Sequence, residues 1–208
     1  MSAINIPDMV RIVEHHGLKV VPVDIHLETL SPKLDILETL IGPNTVAILV
    51  AHIYGRVSDI DGVIKIAKKH NVDIIEDDAE VFHGLDYVGH PEVDLTLYSF
   101  GIIKPLTAFG GAMVGINNPK LYHAMHNLYQ QYPVQDVGTY LKKVMKYTAI
   151  KSLLNNSSAM YIAVPLARYY GFDYKEGFVR KLRGFPGDLM SKIRARPSTA
   201  LLHTMHRR

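Results

Sequence analysis

The sequence predicts an α/β fold with a mostly parallel sheet and helices on both of its faces. Between Ile4 and Leu128, apolar runs of strand length alternate with amphipathic segments of about ten residues, and turn residues separate them. This alternation indicates repeated strand–helix–strand units, in which consecutive strands are parallel. The composition agrees, because 48% hydrophobic and 21% charged residues in a chain of 208 are ordinary for a globular protein and argue against collagen-like and low-complexity classes.

The first elements follow from local patterns. Apolar positions within 9–13 fit one face of a helix that ends at Gly17, and residues 19–24 alternate as a strand would. Ser31 followed by proline has the pattern of an N-cap and first helical residue, which predicts a helix to Gly42. The continuous apolar run 46–50 then predicts a buried strand.

The pattern continues with two more predicted helices. One begins at Ser58, and the other begins at Pro119 and ends at Leu128. Three more apolar or alternating runs predict strands at 72–75, 93–98 and 110–116. Residues 1–130 are therefore predicted to form an α/β core.

The character of the sequence changes after Tyr132. An aromatic-rich stretch at 140–170 has a helical pattern, and turn residues are frequent at 171–187. Residues 175–208 carry nine Lys and Arg residues against two acids. We predict that 131–208 form a mainly helical and basic segment, whose charge favours a solvated face or an acidic partner and leaves open an anion-binding role.

Several classes of protein are disfavoured by composition. The absence of Cys excludes disulfide scaffolds, thiolate metal sites and Cys nucleophiles, and a net charge of +3 does not by itself imply a nucleic-acid partner. Residues 1–11 have no apolar core of signal-peptide length, and the apolar stretch 148–166 is interrupted by Lys151, Asn155 and Asn156. These features predict a cytoplasmic protein with no membrane partner.

Polar side chains follow three of the predicted strands, at the edge where parallel α/β sheets bind ligands. His52 and Tyr54 follow the first strand, an acidic run at 76–78 follows the second, and Ser99 leads from the third to Lys104. His52 is either a histidine with its hydrogen bonds satisfied at a strand end or a site residue. Tyr54 fits packing better than function.

Lys104 is the only charged residue within 99–111. An amine in so apolar a segment is either a partly desolvated nucleophile or a surface lysine whose stem covers apolar surface. Asp77 follows an apolar strand among other acids, so it needs a cationic partner unless the run is an exposed acidic loop. A protonated pyridine nitrogen or a metal fits that need, but the spacing of Asp77, Glu80 and His83 matches no metal signature, and we predict no metal site.

Three motifs in this order resemble the DegT–StrS sugar aminotransferase family across residues 5–130. They are the run His52-Ile-Tyr-Gly-Arg-Val-Ser-Asp59, the run Ile75-Glu-Asp-Asp-Ala-Glu80 with His83-Gly84, and the run Ser99-Phe-Gly-Ile-Ile-Lys104 with Thr107 and Gly110-Gly111. The resemblance implies the aspartate-aminotransferase fold, a pyridoxal 5'-phosphate cofactor and an antiparallel strand at 110–116. Because chains of that family are longer, we expect this sequence to lack N- and C-terminal portions, among them the glycine-rich phosphate loop.

The resemblance also implies a role for each motif residue. Lys104 would form the Schiff base with pyridoxal phosphate, and Asp77 would pair with the protonated ring nitrogen. Ser99 would bind the cofactor phosphate. Glu80 stands where the family usually has Gln or His beside the ring hydroxyl.

By resemblance, the protein would transfer an amino group from glutamate or glutamine to a nucleotide-linked keto sugar, as a homodimer. Residues 131–208 would then be a partial small domain or a dimer-contact region. One alternative is a truncated or inactive homologue that binds the cofactor weakly or not at all. Another is an interaction module that binds anions through 175–208.

Overall fold

A computed structural model describes residues 1–84, 86–169 and 188–208. The chain divides into two compact units. Unit 1 comprises Met1–Phe100, Lys104–Leu106 and Ala112–Leu128, and unit 2 comprises Gly101–Ile103, Thr107–Gly111 and Tyr129–Arg208. The predicted division into domains 1–130 and 131–208 stays a prediction.

Unit 1 contains a four-stranded sheet in the order β1-β2-β3-β4. β1, β2 and β3 are parallel, and β4 is antiparallel to β3. The α/β prediction and the antiparallel expectation for the last strand are therefore confirmed. The strands are β1 Ala47–Ala51, β2 Asp73–Asp77, β3 Leu95–Ser99 and β4 Ala112–Ile116.

Helix α3 joins β1 to β2 and supplies much of the core of unit 1. Its apolar positions are buried, and Asn71 ends it in the left-handed conformation, where Asn is tolerated better than most residues. The core cluster combines this helix and strands β1 and β2 with four residues from other segments: Val23, Leu37, Ile48, Val50, Ile60, Val63, Ile64, Ile66, Ala67, Ile74 and Val93. The helices that begin in this unit are α1 Pro7–His15, α2 Leu34–Leu40, α3 Asp61–His70 and α4 Pro119–Gln130.

Three local predictions in this unit are wrong, the first being the helix start at Ser58, since that helix begins only at Asp61. Residues 19–24 form no strand but only an isolated bridge between Ser2 and Val23, because Pro22 has no backbone N–H to continue a ladder. The helix predicted from Ser31 begins only at Leu34, since Pro32 instead makes an antiparallel bridge with Ile25.

The described part of unit 2 is helical. Side chains cap three of its helices: Asp136 accepts from the Thr139 N–H, Asp188 from the Met190 and Ser191 N–H groups, and Ser198 from the Leu201 N–H. The predicted helix at 140–170 is divided into two at Asn155 and Asn156, and its last residue, with 171–187, lies outside the described residues. The helices are α5 Val137–Leu154, α6 Ser157–Tyr169, α7 Leu189–Ile193 and α8 Thr199–His206.

None of the helices in the described ranges combines the length and the hydrophobicity that a membrane span requires.

Candidate active site

The site lies at the carboxyl edge of the three parallel strands of unit 1. The pairing places Ala51, Asp77 and Leu97 next to one another across β1, β2 and β3. Side chains that share a register position project from the same face of a sheet, and positions two apart along a strand share that face. Ser99, two residues beyond Leu97, is therefore on the face of Asp77.

The acids at the end of β2 are divided between the two faces. Ile74 and Glu76 are buried along with Asp78, whereas Asp77 between them is only partly buried. This is the two-residue period of a strand whose one face packs on the core. The acidic run thus provides one carboxylate for the ligand edge and two for the interior.

Asp77 and Lys104 are close enough to interact electrostatically. Burial raises the pKa of the Asp77 carboxyl, and the Ala79 N–H and the Lys104 ammonium oppose that rise. Lys104 approaches from the segment after β3, with only 18% of its side chain exposed, and its Nζ lies 3.9 Å from Glu80 Oε1. A lysine and two carboxylates thus meet at this edge.

Glu80 also fixes the loop that follows β1. Its Oε2 accepts a hydrogen bond of 3.0 Å from the Tyr54 N–H. Tyr54 and Gly55 both have positive φ values, 57° and 71°, so the loop turns sharply there. Glu80 therefore connects the loop after β1 with the lysine that follows β3, while Tyr54 itself is 74% exposed.

His52 lies in the buried interior behind this edge. Its Nδ1 accepts from the Ser58 N–H at 3.1 Å, so in the neutral ring Nε2 carries the proton and donates it to Glu76 Oε1 at 2.8 Å. Glu76 also accepts from the Tyr87 hydroxyl and from the His90 N–H at 2.7 Å. Burial raises the pKa of Glu76, but these hydrogen bonds outweigh it and leave the pKa below its ordinary value.

Asp78 differs from Glu76 in having no hydrogen-bond partner, among the residues that the structure describes, on either carboxylate oxygen. Its side chain is fully buried, and its nearest ion-pair atom is His52 Nε2, 3.8 Å away. Burial, followed by the neighbouring charge of Glu76, raises the pKa of Asp78 to about 7. A neutral carboxyl is the less costly state for such a group.

Among the described residues, the acids and histidine that could share a cation are His52, Glu76 and Asp78, within 4.8 Å of one another. These three residues differ from Asp77, Glu80 and His83, the possible metal ligands that were considered from the sequence. Both ring nitrogens of His52 already have protein hydrogen-bond partners, so a metal would have to displace the Nε2 proton.

The structure thus brings together three of the residues selected from the sequence, Asp77, Glu80 and Lys104. Ser99 ends the neighbouring strand on the same face as Asp77, and His52 lies behind them. Sequence reasoning missed the interior role of Glu76. The alternation of β2 carried that signal, since Glu76 occupies the same parity as the buried Ile74.

The chain is similar to enzymes that act on sugars. It is 37% identical over 95 residues to a GDP-perosamine synthase of Caulobacter vibrioides, a match that covers 44% of this chain and 25% of that protein. It is 29% identical over 182 residues to a dTDP-3-amino-3,4,6-trideoxy-alpha-D-glucose transaminase of Streptomyces venezuelae. This match covers 82% of this chain and 46% of that protein. The matched parts are therefore less than half the length of these relatives.

Comparison with solved structures identifies the class of fold. The aminotransferase TlmJ from Streptoalloteichus hindustanus matches with a TM-score of 0.55 and 25% identity, over 62% of this chain and 36% of that one. The fold is that of the aspartate-aminotransferase class. Within that class, the DegT/DnrJ/EryC1/StrS aminotransferase family model matches residues 3–172, and the chain belongs to this family.

Proposed function

We propose that this chain is the cofactor-binding part of a pyridoxal-phosphate-dependent aminotransferase. The observation that carries the proposal is the position of Lys104 at the carboxyl edge of the sheet, 3.9 Å from Glu80 and within electrostatic range of Asp77, in a chain of the DegT/DnrJ/EryC1/StrS family. Such an enzyme needs an amine for covalent attachment of the cofactor and a carboxylate opposite the ring nitrogen.

The residues present fit this cofactor. Asp77 is a partly buried carboxylate that accepts a hydrogen bond from the Ala79 N–H and interacts electrostatically with Lys104, Glu80 and His52. It therefore retains capacity for a cationic N–H donor, and a charge-assisted bond of that kind is among the strong ones. Ser99 offers a hydroxyl on the same face, which suits the cofactor phosphate.

We assign the roles accordingly. Lys104 would hold the cofactor covalently and, when released by an amino donor, would move protons at the reacting carbon through its Nζ. Asp77 would keep the ring nitrogen protonated, and Glu80 would hold the Tyr54 loop while its charge faces Lys104. When bound, pyridoxal phosphate supplies the electron sink that stabilises a carbanion beside the amine.

The proposed substrate is a nucleotide-linked keto sugar, with glutamate or glutamine as amino donor. The names of the relatives support it, since a GDP-perosamine synthase and a dTDP-amino sugar transaminase each concern an amino sugar on a nucleotide. We further propose a cytoplasmic homodimer. The alternative of a truncated or inactive homologue that binds the cofactor weakly or not at all is not favoured by these relatives.

Borohydride reduction in the presence of pyridoxal phosphate tests the assignment of Lys104. Mass mapping should find the cofactor adduct on Lys104, and Lys104→Ala should abolish both this adduct and the visible absorbance band. Lys120→Ala is the matched control, because Lys120 is an exposed lysine of unit 1. An unchanged band in Lys104→Ala would overturn the assignment. Failure of glutamate to alter the band of the loaded wild-type protein would favour the inactive homologue.

A further inference from the structure

Unit 2 contains a lysine that is held against a glycine of the loop preceding β4. A Cβ placed on Gly110 would lie 3.1 Å from Lys143 Nζ, and Gly110 has a φ of +154°. A side chain at this position would therefore be strained and would crowd the ammonium group. Glycine at 110 lets the half-buried Lys143 bring its charge onto the backbone of the loop.

Other contacts within unit 2 hold the part of helix α5 that carries Lys143. Tyr140, one turn earlier on α5, is buried and donates a 2.9 Å hydrogen bond from its hydroxyl to the Ala108 carbonyl. Asp136 caps the start of the same helix through the N–H and hydroxyl of Thr139. Hydrogen bonds therefore hold both α5, which carries the ammonium, and the loop at Ala108 that precedes Gly110.

No acidic side chain in the described residues compensates this charge. Asp136 is the only acid between positions 95 and 172, a stretch that carries seven Lys and Arg residues. The acidic side chains described in unit 2 are Asp136 and Asp188, and both act as helix N-caps. The ion pairs found within the described ranges do not include Lys143, and burial lowers its pKa with no opposing acid.

A partly desolvated ammonium without a counter-ion is unfavourable, and an anion from outside the protein would relieve that cost. We propose that Lys143 and the Gly110–Gly111 turn bind a phosphate-type oxyanion. Lysine suits phosphate as a compact point charge, whereas planar carboxylates are matched better by the fork of arginine. A free phosphate and a nucleoside diphosphate both carry such a group, and only the second source rests on the proposed function.

Competitive acetylation of the whole chain by trace acetic anhydride tests the site. The readout is the labelling of Lys143 relative to Lys142, its exposed neighbour on α5, by peptide mass spectrometry. Inorganic phosphate at about ten times its Kd should reduce labelling of Lys143 about tenfold, with no change at Lys142. Protection by UDP at lower concentrations than by phosphate would identify the nucleotide source, and equal protection would identify free phosphate.

Two variants complete the test. Lys143→Met keeps the aliphatic volume and should abolish phosphate binding measured by calorimetry, whereas Lys142→Met should bind as the wild type does. Equal protection of both lysines, protection by glutamate alone, or unchanged binding in Lys143→Met would overturn the proposal. The labelling of wild-type protein decides the matter even if a variant fails to fold, and neither measurement depends on attachment of a cofactor to Lys104.

Discussion

The buried carboxyl of Asp78 predicts that unit 1 loses stability as the pH rises from about 4 towards neutrality. The pKa of Asp78 is about 7 in the folded protein and 3.8 for an ordinary aspartate, which is taken for the unfolded chain. The rise is roughly three pH units, and each is worth about 1.4 kcal/mol. Between these values the folded chain retains a proton that the unfolded chain has released. The free energy of unfolding therefore falls by up to about 4 kcal/mol as the pH rises from about 4 to about 7.

Asp78→Asn removes this titration while keeping a side chain of similar size. We expect the free energy of unfolding of the variant, relative to that of the wild type, to rise by up to about 4 kcal/mol from pH 4 to pH 8, because the variant has no carboxyl to ionise in the interior. Urea unfolding followed by far-UV circular dichroism measures the difference. Asp86→Asn is the control, since Asp86 is exposed. A difference between variant and wild type that does not change with pH would refute the argument.

Two further substitutions test contacts of each unit. Glu80→Gln keeps an acceptor for the Tyr54 N–H but removes a half-exposed negative charge. The affinity for pyridoxal phosphate, measured by absorbance titration, should therefore increase, by no more than about fivefold. Weaker binding would contradict the role given to Glu80. Tyr140→Phe leaves the buried Ala108 carbonyl without its hydroxyl donor and should lower the free energy of unfolding by about 1–3 kcal/mol. The exposed substitution Tyr161→Phe should have no effect in the same urea titration, and equal losses in both would contradict the argument.

The sequence predicted the sheet and the ligand edge because both depend on short-range patterns. Apolar runs of strand length separated by an amphipathic helix dictate parallel pairing, and the residue after each strand then falls on a common edge. Asp77 and Lys104 could be selected in this way without any knowledge of their contacts. Their meeting in unit 1 follows from the order of β2 and β3 in the sheet.

The failed strand at 19–24 and the missed role of Glu76 both depended on partners elsewhere in the chain. The segment 19–24 alternates like a strand, but Pro22 limits the ladder it can form, and the partner it finds is Ser2 rather than a strand. Two of the three hydrogen bonds of Glu76 come from Tyr87 and His90, which lie in a loop without periodic pattern. Nothing local in the sequence indicates that this loop returns to the interior face of β2.

The division of the acidic run at the end of β2 explains how three consecutive acids can occur beside a binding site. Glu76 is stabilised as an anion by three donors, and Asp78 can be neutral near physiological pH because it is buried without one. Asp77 is then the carboxylate whose charge faces the ligand edge, with Lys104 as its nearby cation. The lysine and, in the proposed complex, a protonated ring nitrogen suit Asp77 at that edge better than a divalent metal does, because neither cation needs the fixed ligand geometry that a metal demands.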